Sequence, residues 1–441
     1  METRFKQVLQ GALSHQGFRR YFANTSWLLA EQTLRLLAEL LVGIWVARHL
    51  GAEQFGALSY AIAFVAIFST ISKLGLDSIV VRDLVIDPGR KDTYLGTAFW
   101  LKLGGAFLSI ALVALTLQLT SSDHITKIYV LIIACGMIFQ SLEVVAFYFQ
   151  SQVQARYISS GKLVQLALSS LLKIYLVCVD GDLKWFVLVS LVDQVSLAAA
   201  YFLVYQRRRL GSFFQCHDVT IAKQLLRDSW PLILSGLVVM IYMRIDQIMI
   251  KEMMGNKEVG VYSVAVRLSE VWYFIPMVIT SSLFPPVINA KRVSQELYLA
   301  RLQRLYSFMV WMAIAVAIPT TFLSSWLVTF LYGEAYEGAG QVLKFQVWAS
   351  VFVFLGVASS AWLTSENLQR YAFGRTFAGA AVNVVLNLML IPRYGIMGAV
   401  VATIIAQSMA AFVFDMFTER TRGMFYMKVK ALNPAHVFQR T

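Results

Sequence analysis

Three ionisable residues with helical spacing, Glu31, Arg35 and Glu39, stand in the first long apolar stretch of the chain. Residues four positions apart share one face of a helix. A guanidinium can bond two oxygens of a phosphate or carboxylate at once, and a desolvated carboxylate can hold a proton or a cation. Two interpretations stay open: an internal salt bridge that neutralises the stripe, or an Arg35 that attracts an anionic ligand beside ion-binding carboxylates.

Five further ionisable residues lie inside later apolar stretches. Arg244 and Asp246 are two positions apart, so they point to nearly opposite sides of a helix and do not form a simple pair. Arg267 and Glu270 are three apart and can bridge each other. Asp193 has no opposite charge nearby in its own helix, so it is the best lone protonatable group. The predicted anion-binding set is Arg35, Arg244 and Arg267; the predicted coupling-ion or proton groups are Glu31, Glu39, Asp193, Asp246 and Glu270.

Other polar residues in these stretches are predicted to be structural. Asn383 and Asn387, one turn apart, are expected to hydrogen-bond between helices. Four lysines near the ends of apolar stretches are expected to extend to the headgroup layer: Lys73, Lys102, Lys173 and Lys344. The cysteines have neither paired nor metal-ligand spacing, so neither a metal site nor a cofactor is predicted.

The elements that must position these residues are apolar segments of membrane-spanning length. Of the 441 residues, 58% are hydrophobic and 14% are charged, whereas soluble domains carry roughly 25% charged residues. A spanning helix needs about 20 apolar residues. The sequence predicts an all-α integral membrane protein with about twelve such helices, at 24–47, 55–78, 94–119, 126–150, 158–179, 183–206, 230–254, 261–288, 306–331, 340–364, 371–392 and 395–418.

The lysines and arginines outside these segments or near their ends are unequally divided between the two sides. An even number of spans puts both termini on one side, which then holds 25 of these residues against six on the other. Cytoplasmic loops carry the excess of Lys and Arg in membrane proteins. We therefore expect a multi-pass protein with both termini cytoplasmic, and we attribute the net charge of +13 to topology rather than to nucleic-acid binding.

An internal repeat is visible when the second half is shifted by 204 positions. Gly51, Gly56, Ser59 and Ala61 then fall on Gly255, Gly260, Ser263 and Ala265. Both sets lie at a turn between an odd-numbered span and the next, which predicts two six-helix lobes repeated in parallel orientation. The expected organisation is a cytoplasmic segment 1–23, an N-lobe 24–206, a cytoplasmic linker 207–229, a C-lobe 230–418 and a cytoplasmic tail 419–441.

An ordered set of short motifs runs along the chain. The first are residues 47–56 (ARHLGAEQFG), Leu74 to Asp77 and Val81 to Asp83. They continue in the second half with Ile245-Asp246-Gln247, Val259 to Tyr262, Phe284-Pro285, Gly333 to Tyr336 and Asn387 to Ala399. Each motif alone is a common glycine turn or proline break, but the ordered set covers nearly the whole chain and resembles Wzx-type polysaccharide flippases of the MATE/MOP superfamily.

The resemblance implies a fold and a transport activity. A flippase of this kind moves an oligosaccharide linked to undecaprenyl diphosphate from the cytoplasmic to the periplasmic leaflet of the bacterial inner membrane, for O-antigen, capsule or exopolysaccharide. The two lobes would alternate access to a cationic cavity, with an ion gradient allowed as the driving force. The partners implied are the lipid-linked substrate, membrane lipids and polysaccharide polymerases or ligases, and no catalytic residue is expected.

Two alternatives come from other functional classes. A MATE-like efflux pump for organic cations shares the architecture, but its cavity should be dominated by carboxylates rather than by arginines. A membrane-embedded polymerase or ligase generally needs a large external loop, and the longest internal loop here is 207–229. The Asp180-Gly-Asp182 triplet has the form of a glycosyltransferase metal motif, but its place between two spans favours a turn.

Overall fold

The computed structural model describes residues 16–433, with side chains placed from Ser26 onward. The segments 1–15 and 434–441, which include the predicted cytoplasmic charges Arg4, Lys6 and Arg440, lie outside the described residues. All regular elements in the described range are helical, which confirms the predicted all-α class.

The first half of the chain forms seven α-helices. They are α1 (Gln16–Lys73), α2 (Asp77–Ile86), α3 (Lys91–Leu117), α4 (His124–Phe139), α5 (Val144–Ser151), α6 (Ala155–Cys178) and α7 (Leu183–Arg207). The second half continues with α8 (Val219–Met254), α9 (Asn256–Glu270), α10 (Phe274–Lys291), α11 (Gln295–Tyr332), α12 (Glu337–Gln346), α13 (Ala349–Ser365), α14 (Gln369–Tyr394), α15 (Ile396–Ala411) and α16 (Glu419–Ala431).

Membrane-spanning candidates cover the predicted segments. Within the described residues, ten helical stretches are long and apolar enough to cross a membrane, and a pair bent by 49°, Glu334–Gln346 with Ala349–Ser365, is an eleventh. The first stretch, Ser26–Ile86, is 61 residues long and contains the first two predicted spans. The count is one lower than the twelve predicted spans because the first two spans are joined without a loop at Gly51.

The kink at Gly51 has a counterpart in the second half. Gly51 has φ 67° and ψ 173° within α1, and Gly255, which precedes α9, has φ 104° and ψ −179°. Positive φ of this kind is open to glycine because it lacks a Cβ atom. The two glycines are 204 positions apart, so the predicted repeat is also present in the backbone conformation.

A second pair of matched glycines packs reciprocally. A Cβ atom built on Gly56 would lie 1.8 Å from the carbonyl oxygen of Asn256, and one built on Gly260 would lie 2.0 Å from the carbonyl oxygen of Ala52. Ala52 and Asn256 are themselves related by the 204-residue shift. The equivalent helix starts therefore contact each other backbone to backbone, which only glycine permits.

The described chain divides into two compact units. The N-terminal unit comprises residues 16–49 and 64–237, and the C-terminal unit comprises residues 50–63 and 238–433. Relative to the lobe boundaries expected from the sequence, the start of the second span belongs to the C-terminal unit and the start of the seventh span to the N-terminal unit.

Each unit has its own apolar core. Leu76, Val80 and Phe149 belong to the core of the N-terminal unit. Met309 and Phe354 belong to the core of the C-terminal unit. These residues are almost fully buried, so each unit positions its polar groups against a packed scaffold.

The segment predicted as a linker, 207–229, packs on the N-terminal unit. Phe213 is fully buried in the core of that unit. Asp218 caps the start of α8, where its carboxylate accepts the backbone N–H groups of Thr220 and Ile221 at 2.7 and 3.3 Å. These hydrogen bonds lower the pKa of Asp218. The first part of the segment is therefore a docked element of the N-terminal unit.

Candidate functional site

The stripe predicted on the first helix is an ion-pair network in the N-terminal unit. Nε of Arg35 donates to Oε1 of Glu31 at 2.8 Å, and Nη1 of Arg35 lies 3.6 Å from Oε1 of Glu39. Lys162 on α6 places its Nζ 3.6 Å from the other oxygen of Glu31. The exposed fractions of Glu31, Arg35 and Glu39 are 5%, 28% and 62%. The internal salt bridge is therefore present, and it is most deeply buried at Glu31.

Arg35 retains an unused donor in this network. Its Nη2 atom is buried and has no hydrogen-bond partner among the described residues. A buried donor without a partner costs about 1–3 kcal/mol. An oxygen atom from a ligand or from water would remove that cost.

A second ion pair in the N-terminal unit involves a lysine expected at the headgroup layer. Lys102 on α3 is fully buried, and its Nζ donates to Oε2 of Glu143 at 3.0 Å. The ammonium also lies 5.0 Å from the centre of the Phe147 ring. The headgroup prediction for Lys102 is wrong, because a carboxylate and an aromatic ring satisfy the ammonium inside the unit.

Asp193, predicted as a lone carboxylate, has a partner from the neighbouring helix. Nζ of Lys173 on α6 lies 3.3 Å from Oδ2 of Asp193 on α7, and the same ammonium donates to Oγ of Ser169 at 2.8 Å. Oδ1 of Asp193 is buried without a hydrogen-bond partner in the described part of the chain. Lys173 thus turns inward to Asp193, so its headgroup prediction also fails.

In the C-terminal unit the most buried of the predicted ion-binding residues is Asp246 on α8. Its carboxylate accepts hydrogen bonds from neutral side chains. Oδ2 of Asp246 accepts the hydroxyls of Thr403 and Tyr262 at 2.6 and 2.7 Å, and Oδ1 accepts Nδ2 of Asn387 at 2.5 Å. The amide of Asn387 also donates to Oδ1 of Asn383 at 3.2 Å. The interhelical hydrogen bonding predicted for the two asparagines is confirmed for Asn387.

This cluster offers oxygen atoms around one carboxylate. Asp246 is 5% exposed, and both asparagines are fully buried. Oδ1 of Asn387 has no hydrogen-bond partner among the described residues. Carboxylate, amide and hydroxyl oxygens are the ligands that hard cations prefer.

The remaining predicted charges also lie in the C-terminal unit. Nη1 of Arg244 is 3.6 Å from Oε1 of Glu270, and both side chains are partly exposed. The guanidinium of Arg267 lies 4.9 Å from the centre of the Phe55 ring. Arg244 is therefore paired across helices with Glu270, a contact that spacing along one helix does not reveal.

The Asp180-Gly-Asp182 triplet is a turn, as expected. Asp180 has φ 54° after the end of α6, and the N–H of Gly181 donates to the carbonyl of Leu176 at 2.8 Å, as at a helix C-terminus. Asp182 pairs with Lys184 at 2.9 Å. Within residues 16–433, no group of three or more His, Cys, Asp or Glu is arranged to hold a metal ion.

Sequence reasoning missed Glu143, Lys162, Tyr262 and Thr403. Glu143 carried a usable signal, because a carboxylate inside a spanning segment is a functional candidate by default. Lys162 was counted with the topological charges near a segment end. Tyr262 and Thr403 gave no signal, since single hydroxyl residues are common in membrane helices.

Long apolar helices with embedded ionisable networks define a multi-pass membrane transporter. Solved structures with the same fold are a multidrug resistance MATE family transporter of the MOP superfamily in an inward-facing conformation (TM-score 0.67, 14% identity, 90% of this chain and 96% of that chain) and the lipid II flippase MurJ in an inward closed conformation (TM-score 0.69, 13% identity, 93% and 91%). At these identities the likeness shows the fold alone.

The chain belongs to the Polysaccharide biosynthesis protein family, whose profile matches residues 21–291. The MatE profile matches residues 231–389. The MATE/MOP membership predicted from the motifs is therefore confirmed.

Curated relatives agree with this membership. The capsular polysaccharide biosynthesis protein CapF of Staphylococcus aureus is 17% identical over 90% of this chain and 99% of its own length. The probable low-salt glycan biosynthesis flippase Agl15 of Haloferax volcanii is 22% identical over 81% and 75%. The probable flippase AglR of the same organism is 25% identical over 41% of this chain, a match that spans only 38% of AglR. The prediction of a transporter rather than an enzyme is confirmed by these relatives.

Proposed function

We propose that this chain is a flippase that moves an oligosaccharide linked to undecaprenyl diphosphate across the bacterial cytoplasmic membrane, for O-antigen, capsule or exopolysaccharide. The observation that carries the proposal is the Arg35 network, set inside an apolar helix of a polysaccharide biosynthesis family member. The excess of Lys and Arg on one side supports cytoplasmic termini. A polymerase or ligase would then act on the translocated product.

Arg35 is the proposed contact for the diphosphate. Its planar guanidinium matches the geometry of phosphate oxygens, and its Nη2 atom is the buried donor left without a partner among the described residues. Glu31 already has a second cation in Lys162, so Arg35 can turn to a substrate oxygen without leaving Glu31 unpaired. Arg244 and Arg267 are proposed as further contacts for anionic groups of the substrate.

Asp246 is the proposed site of the coupling ion or proton. Glu31, Glu39, Asp193 and Glu270 were candidates for the same role, but each lies within 4 Å of a basic nitrogen. The donors to Asp246 in the described chain are all neutral. A cation or proton at Asp246 would therefore supply a partner of a kind that the neutral donors described here do not.

A complementation experiment tests the role of Arg35. In a strain that lacks this protein, Arg35→Ala should fail to restore polysaccharide export, and lipid-linked oligosaccharide should accumulate on the cytoplasmic side. Lys344→Ala is a matched control, because Lys344 is a cation of a predicted span whose side chain is exposed, and it should complement normally. Normal export by Arg35→Ala at a normal protein level would contradict the proposal.

The alternative is a MATE-like efflux transporter for organic cations. The match of the MatE profile to residues 231–389 and the cation-suited oxygens around Asp246 favour it. A drug-susceptibility panel on the deletion strain separates the two: increased susceptibility with normal polysaccharide would support efflux, and the reverse would support the flippase.

A further inference from the structure

The last helix of the described chain, α16, is too short to cross a membrane. It has 13 residues and is therefore about 20 Å long, whereas the hydrocarbon core is about 30 Å thick. It follows the last membrane-spanning candidate, Ile396–Met416, after two intervening residues. Its two faces have different environments, one within the C-terminal unit and one exposed.

The inner face of α16 is fixed by a buried lysine. Nζ of Lys428 donates to Oδ2 of Asp415 at 2.5 Å and to the carbonyl of Ala411 at 2.6 Å. Both charged side chains are almost completely buried. Met424 and Ala431 join the apolar core of the unit on the same face. Breaking such a buried pair is costly, so the helix is held in one orientation.

The outer face of α16 combines basic and apolar residues. Arg422, Tyr426 and Val429 are exposed and lie within about 60° of one another around the helix. Lys430 flanks them on one side, and the exposed Leu432 follows the helix end on the other. Tyr426 is 58% exposed and Leu432 49%.

The surroundings of this face add positive charge. Arg422 and Lys430 are exposed on this face together with the acidic Glu419, whereas Arg420 is exposed about 160° from Arg422 around the helix. Arg422 also donates to the carbonyl of Met416 at 3.4 Å, which leaves its other guanidinium nitrogens available.

The position of α16 places this face at one end of the spans. Its core residues pack in one cluster with Ala290 near the end of α10, Tyr298 near the start of α11 and Leu363 near the end of α13. These three helix ends belong to the side that carries most of the Lys and Arg residues. That side is cytoplasmic by the charge rule, and the cytoplasmic leaflet is rich in anionic lipid.

We propose that the outer face of α16 binds anionic phospholipid headgroups of the cytoplasmic leaflet. Tyr426, Val429 and Leu432 enter the interfacial layer, where amphipathic helices bury their apolar side chains. Arg422 and Lys430 contact lipid phosphates. The α16 helix then forms a lipid-binding surface that is attached to the C-terminal unit through Lys428.

A fluorescent label on the outer face tests this proposal. The native residues Cys135, Cys178 and Cys216 are replaced by serine, and Tyr426→Cys carries a bimane group. The purified full chain is reconstituted in phosphatidylcholine vesicles with increasing phosphatidylglycerol, including lipids brominated on the acyl chains. We expect a blue shift and bromine quenching that grow with the phosphatidylglycerol fraction.

Charge substitutions make the test specific. Arg422→Gln and Lys430→Gln should each weaken the apparent affinity for phosphatidylglycerol roughly fivefold, the effect of about one basic residue near an anionic surface. Lys257→Gln removes one exposed positive charge elsewhere in the C-terminal unit and should have no effect. Unchanged thermal unfolding of each variant shows that the fold is intact.

Three results would overturn the proposal. The first is an emission that does not depend on phosphatidylglycerol. The second is an equal change in the apparent affinity for phosphatidylglycerol in Arg422→Gln and Lys257→Gln. The third is a signal that depends on protein density rather than on lipid composition, which would assign the face to a second copy of the chain.

Discussion

Buried carboxylates of the two units have different partners: those of the N-terminal unit pair with cations, whereas the C-terminal unit holds Asp246 with neutral donors in addition to the ion-paired Asp415. In the N-terminal unit Glu31, Glu143 and Asp193 each lie within 3.6 Å of a lysine or arginine nitrogen. In the C-terminal unit Asp246 is surrounded by hydroxyl and amide donors. The first arrangement pairs each carboxylate with a cation, and the second surrounds the carboxylate with neutral donors.

We propose that this difference corresponds to different tasks of the two sites. The guanidinium of Arg35 has the planar donor geometry that suits a diphosphate. A buried carboxylate with neutral donors offers oxygen atoms to a proton or a cation. In this proposal Arg35 contacts the substrate and Asp246 holds the coupling ion.

The largest expected effect comes from breaking a pair in the N-terminal unit. Glu143→Gln leaves the buried Lys102 ammonium without its counter-charge and should lower the free energy of unfolding by about 3 kcal/mol. Replacing both residues, with Lys102→Met and Glu143→Gln, should recover most of this loss. Denaturant or thermal unfolding of the purified protein measures both. An unchanged stability of Glu143→Gln would show that the pair is not needed for the ammonium to remain buried.

The next effect concerns the feature that the two halves share. Gly56→Ala and Gly260→Ala each introduce a Cβ atom about 2 Å from a backbone oxygen. The backbone must move to relieve this overlap, which should lower the free energy of unfolding by about 1–3 kcal/mol. Both should lower the melting temperature to a similar extent because their contacts are reciprocal. Gly104→Ala is the control, because a Cβ atom there meets no atom within 4 Å. Equal melting temperatures of all three variants would contradict the reciprocal contact.

The smallest effect on stability, but a specific effect on transport, is expected at Asp246. Asp246→Asn replaces the carboxylate by an amide of nearly the same shape. The free energy of unfolding should therefore change by only about 1 kcal/mol. Transport should lose its dependence on the driving ion, whereas Asp193→Asn should retain it because Asp193 pairs with Lys173. Transport rates with and without proton and sodium gradients measure this. Retained ion dependence in Asp246→Asn would remove Asp246 from the coupling role.

The sequence indicated those features that depend on local spacing. Residues one helical turn apart allowed the Glu31–Arg35 salt bridge as one of two interpretations. The glycine positions predicted a turn at Gly51 and its repeat at Gly255; at Gly51 the structure has a kink without a loop. The partners Lys162 and Thr403 were not predictable, because they come from other helices whose rotation is set by packing. Lys102 was misassigned for the same reason: the sequence gives its depth along the helix but not the carboxylate that faces it.

The central claim is that this protein moves a lipid-linked oligosaccharide between leaflets. The most direct measurement reconstitutes the purified chain in vesicles that hold a fluorescent lipid-linked oligosaccharide and follows its transfer between leaflets with a membrane-impermeant glycan-binding reagent. We predict transfer with the wild-type chain and little transfer with Arg35→Ala. Equal transfer in vesicles with and without the protein, under proton and sodium gradients, would contradict the account.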